Sequence, residues 1–106
     1  MYGGGGLTIG NFVRIAAHTV MVPSNHEYSD TAIPITKQGL SMKGIVVEDD
    51  VWVGAGARIL DGVRLRTGTV VGAGAVLTHS TNEFSVVAGV PARQLATRTK
   101  FAPSKS

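Results

Sequence analysis

No cysteine occurs among the 106 residues, and only six are aromatic. The missing thiols exclude a disulfide framework, a thiolate zinc site and covalent catalysis through a cysteine, and they fit a reducing, cytoplasmic setting. The scarcity of aromatics argues against nucleic acid as a ligand, because the basic residues are not interleaved with stacking rings and no base-reading motif is present. Long apolar runs are lacking too. Nothing approaches the roughly 20 residues of a membrane-spanning helix, and the stretch from Met1 to Gly6 has neither the basic start nor the apolar core of a signal peptide. Acidic residues thin out along the chain. From residue 58 onward seven basic residues face two acids, whereas residues 1 to 57 carry three against five. The C-terminal end should therefore attract anions.

A length of 106 residues supplies one domain with a thin core, so residues 1–106 read as a single unit that leans on a partner. What it has in abundance is repetition. Val53-Gly54-Ala55-Gly56-Ala57 returns eighteen residues later as Val71-Gly72-Ala73-Gly74-Ala75. Within that period lies a shorter one. Aliphatic residues recur every six positions at Val47, Val53, Ile59, Leu65, Val71 and Leu77, each followed four later by Val51, Ala57, Val63, Thr69, Ala75 or Thr81. The same frame covers Ile9 to Val13 and Ile15 to Thr19, and lapses near Met21.

A period of six fits neither an α-helix nor a lone amphipathic strand, but it fits a coil with three flat sides, each a short strand and a turn. Residues eighteen apart then stack about 4.8 Å apart, putting Val47 on Leu65, Val53 on Val71 and Ile59 on Leu77. About three to four coils fit the chain. The repeat gives way after residue 84, where Val87-Ala88-Gly89-Val90-Pro91-Ala92-Arg93 begins a cap over 84–106, and Pro91 predicts a short helix through about Thr97.

Residues 22–44 interrupt the repeat, and an excursion of that length inside a compact domain is usually functional, disordered or a sign of wrong assignment, the last opposed by the clean repeats on both sides. It carries Pro23-Ser24-Asn25-His26-Glu27-Tyr28-Ser29-Asp30, then Ile33-Pro34-Ile35 and Gln38-Gly39, and the next coil opens with Val51-Trp52-Val53-Gly54-Ala55. With the repeat and the Gly89 to Arg93 exit, these motifs from about Leu7 to Arg98 resemble the hexapeptide-repeat acyltransferases, and among them the polysaccharide, maltose and galactoside O-acetyltransferases. The resemblance implies an all-β, left-handed parallel β-helix, a homotrimer with sites between subunits, and acetyl-CoA as co-substrate for transfer to a sugar hydroxyl.

Such a transfer needs a base for the hydroxyl proton, donors for the developing oxyanion, and alignment of two substrates. Imidazole, with an ordinary pKa of about 6.5, suits the first role. Of the three histidines, His18 and His79 fall inside hexapeptides, whereas His26 lies on the excursion and is the expected base. The resemblance implies that Trp52 shapes the acetyl pocket and that backbone N–H groups at Gly54 and Ala55 face the thioester oxygen. It further implies that Gly56, Ala57, Gly72, Ala73, Gly74, Ala75, Thr78 and His79 line the CoA groove, with Arg93 and Arg98 near the ribose phosphate. Two departures stand out. Thr78-His79-Ser80 replaces the family's frequent Thr-Lys-Asp, exchanging one cation for a titratable group. Family members commonly have further coils and a helical segment ahead of Gly10, where this sequence begins, so its acceptor site is expected to be incomplete, open or borrowed from a neighbour.

Other readings fit less well. Val70 to Val76 looks like the glycine turn of a dinucleotide fold, but Leu77 stands where the third glycine belongs. A γ-type carbonic anhydrase uses the same prism with three zinc-binding histidines, yet its close histidine pair is missing, so no metal is expected. A β-helix scaffold without catalysis stays open as the alternative.

Overall fold

The computed structural model describes residues 6–22, 25–26, 30–37, 40–41 and 43–99. Its first coil is β1 (Leu7–Ile9), β2 (Arg14–Ile15) and β3 (Val20–Met21). The excursion contributes β4 (Asn25–His26) and β5 (Leu40–Ser41), an antiparallel pair, with a 3-10 turn at Ile35–Lys37 between them. The second coil is β6 (Ile45–Val47), β7 (Trp52–Val53) and β8 (Arg58–Ile59), and the third is β9 (Arg64–Leu65), β10 (Val70–Val71) and β11 (Val76–Leu77). Two further strands, β12 (Ser85–Ala88) and β13 (Arg93–Thr97), end the fold.

Each coil adds one strand to each of three parallel walls: β1-β6-β9, β2-β7-β10 and β3-β8-β11. Val47 pairs with Leu65, Val53 with Val71 and Ile59 with Leu77, the stacking expected from an eighteen-residue turn. Between the first and second coils the same walls pair at an offset of thirty-eight, as in Arg14 with Trp52, so the excursion inserts twenty residues without disturbing any register. In the second and third coils every hexapeptide buries two side chains. From Val47 to Thr81 the aliphatic positions and the positions four later are all buried, including Thr69 and Thr81, whose hydroxyls share a hydrogen bond of 2.7 Å inside the prism. Met21, where the sequence frame lapses, holds the frame after all: it pairs with Ile59 and is buried. An unbranched thioether fills an aliphatic slot, which is why a pattern of branched residues passes over it.

The corners follow the same period. Gly44, Asp50, Gly56, Gly62, Gly68 and Gly74 all have positive φ, as do Phe12 and His18 in the first coil. Glycine takes that conformation without a Cβ penalty, which accounts for its recurrence at these places.

The C-terminal cap departs from the expected helix. Residues Arg93–Thr97 form strand β13, antiparallel to β12, which itself lies parallel to β10 on the second wall. Five residues cannot repay helix nucleation, whereas the open edge of β12 offers ready backbone partners. The last half-coil is also shortened: Val70 meets Val86 after sixteen residues instead of eighteen. On the first wall the missing strand is replaced by side chains. Ser80 and Thr81 hydroxyls accept from the N–H groups of Arg64 and Arg66.

Candidate functional site

On the second wall, inward residues alternate with outward ones, so the row Arg14, Trp52, Val70 and Val86 faces out while Ile15, Val53, Val71 and Val87 face in. Trp52 is 55% exposed on that face rather than a core aromatic. Beyond it along the strands, the coils present only small residues. Ala16, Gly54, Ala55, Gly72 and Ala73 form a shallow groove of about 290 Å³ with Trp52 as its end wall. The groove exists because the repeat places nothing larger there.

The glycines lining this groove and those at the adjoining corner are glycine for separate reasons. A Cβ on Gly54 would lie 2.7 Å from the Ala73 nitrogen and 2.9 Å from the Val71 oxygen, so coil-on-coil packing forbids it. Gly56 and Gly74 meet nothing, but sit at φ +72 on the corner. Ala57 and Ala75 are fully buried. As fifth residues of their hexapeptides they face the core, so these two expected cofactor contacts are withdrawn. The expected oxyanion donors also separate. The Gly54 N–H donates to the Val71 carbonyl at 2.8 Å, while the Ala55 N–H has no acceptor among the described residues.

The remaining expected ligands are dispersed. His79 and Arg93 line a cavity of about 250 Å³ at the C-terminal end with Leu77 and Gln94, and Thr78 is bonded to His79 through its hydroxyl at 3.0 Å from Nδ1. Arg98 lies elsewhere. Its Nη1 donates to the Gly68 carbonyl at 2.8 Å and to Asp50 Oδ2 at 3.3 Å, and its guanidinium stands 6.0 Å from the Phe84 ring centre. It ties the cap to the corner of the second and third coils.

His26 belongs to β4, whose only strand partner among the described residues is β5. The excursion leaves after β3 on the third wall and returns at β6 on the first, the corner opposite the second wall. The side chain of His26 and the motif residues Pro23, Ser24, Glu27, Tyr28, Ser29, Gln38 and Gly39 lie outside the described residues. His18 is an exposed corner residue at φ 62. One feature escaped the sequence reading: a cleft of about 590 Å³ on the other side of Trp52, lined by Phe12, Arg14, Asp50, Val70 and Arg98. The thirty-eight-residue offset that brings Arg14 beside Trp52 is visible only once the length of the excursion is known.

Three walls of short parallel strands, a six-residue period and a small-residue groove define a hexapeptide-repeat β-helix. Residues 44–79 match the family described as bacterial transferase hexapeptide (six repeats). Among curated proteins the chain is similar to 2,3,4,5-tetrahydropyridine-2,6-dicarboxylate N-acetyltransferase of Staphylococcus aureus, 40% identical over 65 residues, which are 61% of this chain and 27% of that protein. Solved structures agree on the fold, which is left-handed. A hexapeptide-repeat-containing acetyltransferase of Vibrio cholerae, complexed with acetyl-CoA, aligns with TM-score 0.79 and 30% identity over 90% of this chain and 51% of its own. The maltose O-acetyltransferase of Clostridium difficile aligns with TM-score 0.81 and 24% identity over 90% and 50%. The N-acyltransferase AntD of Bacillus cereus, in complex with dTDP and 3-hydroxybutyryl-CoA, aligns with TM-score 0.81 and 24% identity over 92% and 55%. The chain thus spans about half of these structures and about a quarter of the curated relative.

Proposed function

We propose that the protein transfers an acetyl group from acetyl-CoA to a sugar hydroxyl, with His26 as general base. The observation that carries this reading is the small-residue groove ending on exposed Trp52, a surface that a thin pantetheine arm can approach closely. Support comes from a similar acetyltransferase complexed with acetyl-CoA and from the maltose O-acetyltransferase among the structural relatives. Use of acetyl-CoA supports a cytoplasmic location. No described helix is long and apolar enough to cross a membrane.

The step is a direct displacement. The acceptor oxygen attacks the thioester carbonyl while His26 takes its proton, the Ala55 N–H donates to the developing oxyanion, and the carbon–sulfur bond then breaks. The proton held by His26 passes to the leaving thiolate, so no residue is acylated. Within one chain, however, the excursion leaves and rejoins the prism at the corner between the third and first walls, whereas the groove lies on the second. We therefore propose a homotrimer in which the excursion of one copy meets the second wall of the next. The cavity of His79 and Arg93, at the C-terminal end of the prism, would hold the phosphates of CoA.

Calorimetry with CoA, with light scattering on the same sample, tests this reading. A micromolar Kd and a trimer mass are expected, and Arg93→Ala should weaken CoA more than an analogue lacking the 3′-phosphate. No binding at millimolar CoA would leave a scaffold instead, and a folded monomer would remove the composite site. A screen of hydroxyl and amino acceptors then separates O- from N-transfer.

A further inference from the structure

Trp52 and Val70 line two depressions at once, the small-residue groove on one side and the cleft of about 590 Å³ on the other. The two differ in chemistry. The groove is nearly all backbone and methyl groups, whereas the cleft has two guanidinium groups, one carboxylate and two exposed rings, with Phe12 89% exposed. Its volume falls within the range of roughly 300–1,000 Å³ of small-molecule sites.

The charges in the cleft do not cancel. Arg98 is spent on structure: it holds Asp50 and the Gly68 carbonyl, and the chain just past β13 is anchored where the Arg98 N–H donates to the Phe84 carbonyl at 2.6 Å. Asp50 is thereby answered. Arg14 is exposed and has no ion-pair partner among the described residues, although it stands in the same outward row as Trp52. An unanswered guanidinium beside an apolar floor of Trp52 and Val70 is a poor place for a fully neutral guest. It is a good one for a molecule that lays an apolar ring face on the indole and turns a carboxylate or phosphate toward Arg14.

We infer that this cleft is the acceptor pocket and that it selects an anionic acceptor, a carboxylate- or phosphate-bearing sugar, through Arg14. The inference rests on the groove beyond Trp52 being the acetyl-CoA side. Reacting atoms must come within about 3–3.5 Å, and the ridge of Trp52 and Val70 is the one place the two depressions share. Arg14 acts as a specificity residue; it need not touch the reacting atoms. The cleft shares no lining residue with the His79 and Arg93 cavity, which keeps the two anionic substrates apart.

Trp52 is the sole tryptophan, so its fluorescence reports on the ridge directly and without turnover. Glucose, glucuronate and glucose 6-phosphate are titrated in turn. At least one charged sugar is expected to perturb Trp52 and to bind well above glucose, and the better of the two tells carboxylate from phosphate. Arg14→Ala should weaken that sugar about 10- to 100-fold and leave glucose unchanged. Arg14→Lys should fall between, and Arg58→Ala, which removes a charge from the exposed side of the third wall, should change neither. Equal binding of charged and neutral sugars, no response to any sugar, or dissociation of the trimer by Arg14→Ala would overturn the proposal. Acetyl-CoA calorimetry is run in parallel, so loss of the sugar response with CoA binding intact condemns the acceptor pocket alone.

Discussion

In the second coil Val47, Val53 and Ile59 are all but sealed from solvent, whereas Ile9 and Ile15, which hold the equivalent places in the first coil, remain 43% and 37% exposed. Both sets are β-branched aliphatics in the same registers. What differs is that β6 and β7 have a described strand on each side and β1 and β2 have one, although Met21, the third place of the first coil, is buried. Burial in this fold is conferred by neighbours along the axis, as in any quasi-one-dimensional array. The first coil, least held by packing, is also where the sequence leaves its period, inserts twenty residues, and places Phe12, Arg14 and His26. The contrast separates a stretch whose sequence is set by stacking, 44–79, from one whose sequence is free to serve chemistry, 7–43.

That division is sharpest for His26. Because β4 pairs with β5 and takes no part in the three walls, His26→Ala should leave the melting temperature and CoA affinity of the protein near wild type. It should lower kcat by about 10²- to 10⁴-fold, the range for loss of a general base. His18, fixed at a corner of the periodic frame, is the matched control, and its alanine variant should keep most of the rate. The reverse result, with His18→Ala dead and His26→Ala active, would move the chemistry into the repeat and erase the distinction.

The complementary test lies in the core. Leu65 is fully buried, so Leu65→Ala should cost about 2–5 kcal/mol in urea unfolding, through lost transfer energy and an unfilled cavity. Ile9→Ala removes a larger share of surface already in water and should cost about 1 kcal/mol. Similar costs would mean that the end of the first coil is covered in solution, and that the comparison above describes an isolated chain only.

The stacked region was legible in the sequence because its physics is local and repeated. Val47, Val53, Ile59 and their partners every eighteen residues announce both the strands and what lies on them. Legibility fails wherever the period does. Met21 breaks the pattern of branched side chains without leaving the column. Arg93 to Thr97 follow a proline that suits a helix start, but the free edge of β12 decides their conformation, and that edge exists only in three dimensions. Ala57 and Ala75 share a glycine-alanine run with true groove residues, yet the fifth place of the hexapeptide points them inward. The cleft around Arg14 depends on joining coils across the excursion, which no periodicity reports.

The smallest effect expected concerns a contact inside the stacked region. Glu48, at the corner of the second coil, reaches the coil above it: its carboxylate accepts from the Thr67 N–H at 2.9 Å, the Thr67 hydroxyl at 3.1 Å and Arg64 Nε at 2.6 Å. The Thr67 backbone N–H, then the Arg64 guanidinium, hold its pKa below the ordinary value of 4.5. A carboxylate whose pKa is lower folded than unfolded binds protons more readily in the unfolded chain. Its contribution is therefore complete above about pH 4.5 and disappears as the pH falls through the lower, folded value. Glu48→Gln keeps an oxygen for Thr67 but has no charge to titrate. Urea unfolding at intervals from pH 6 to pH 3 should accordingly show a shallower loss of stability in the variant than in the wild type, with the two curves nearly parallel above pH 5. The side chain is close to solvent and the pair is partly screened, so added salt should narrow the gap. Identical slopes would show that the contact between these two coils is made by their buried aliphatic columns alone.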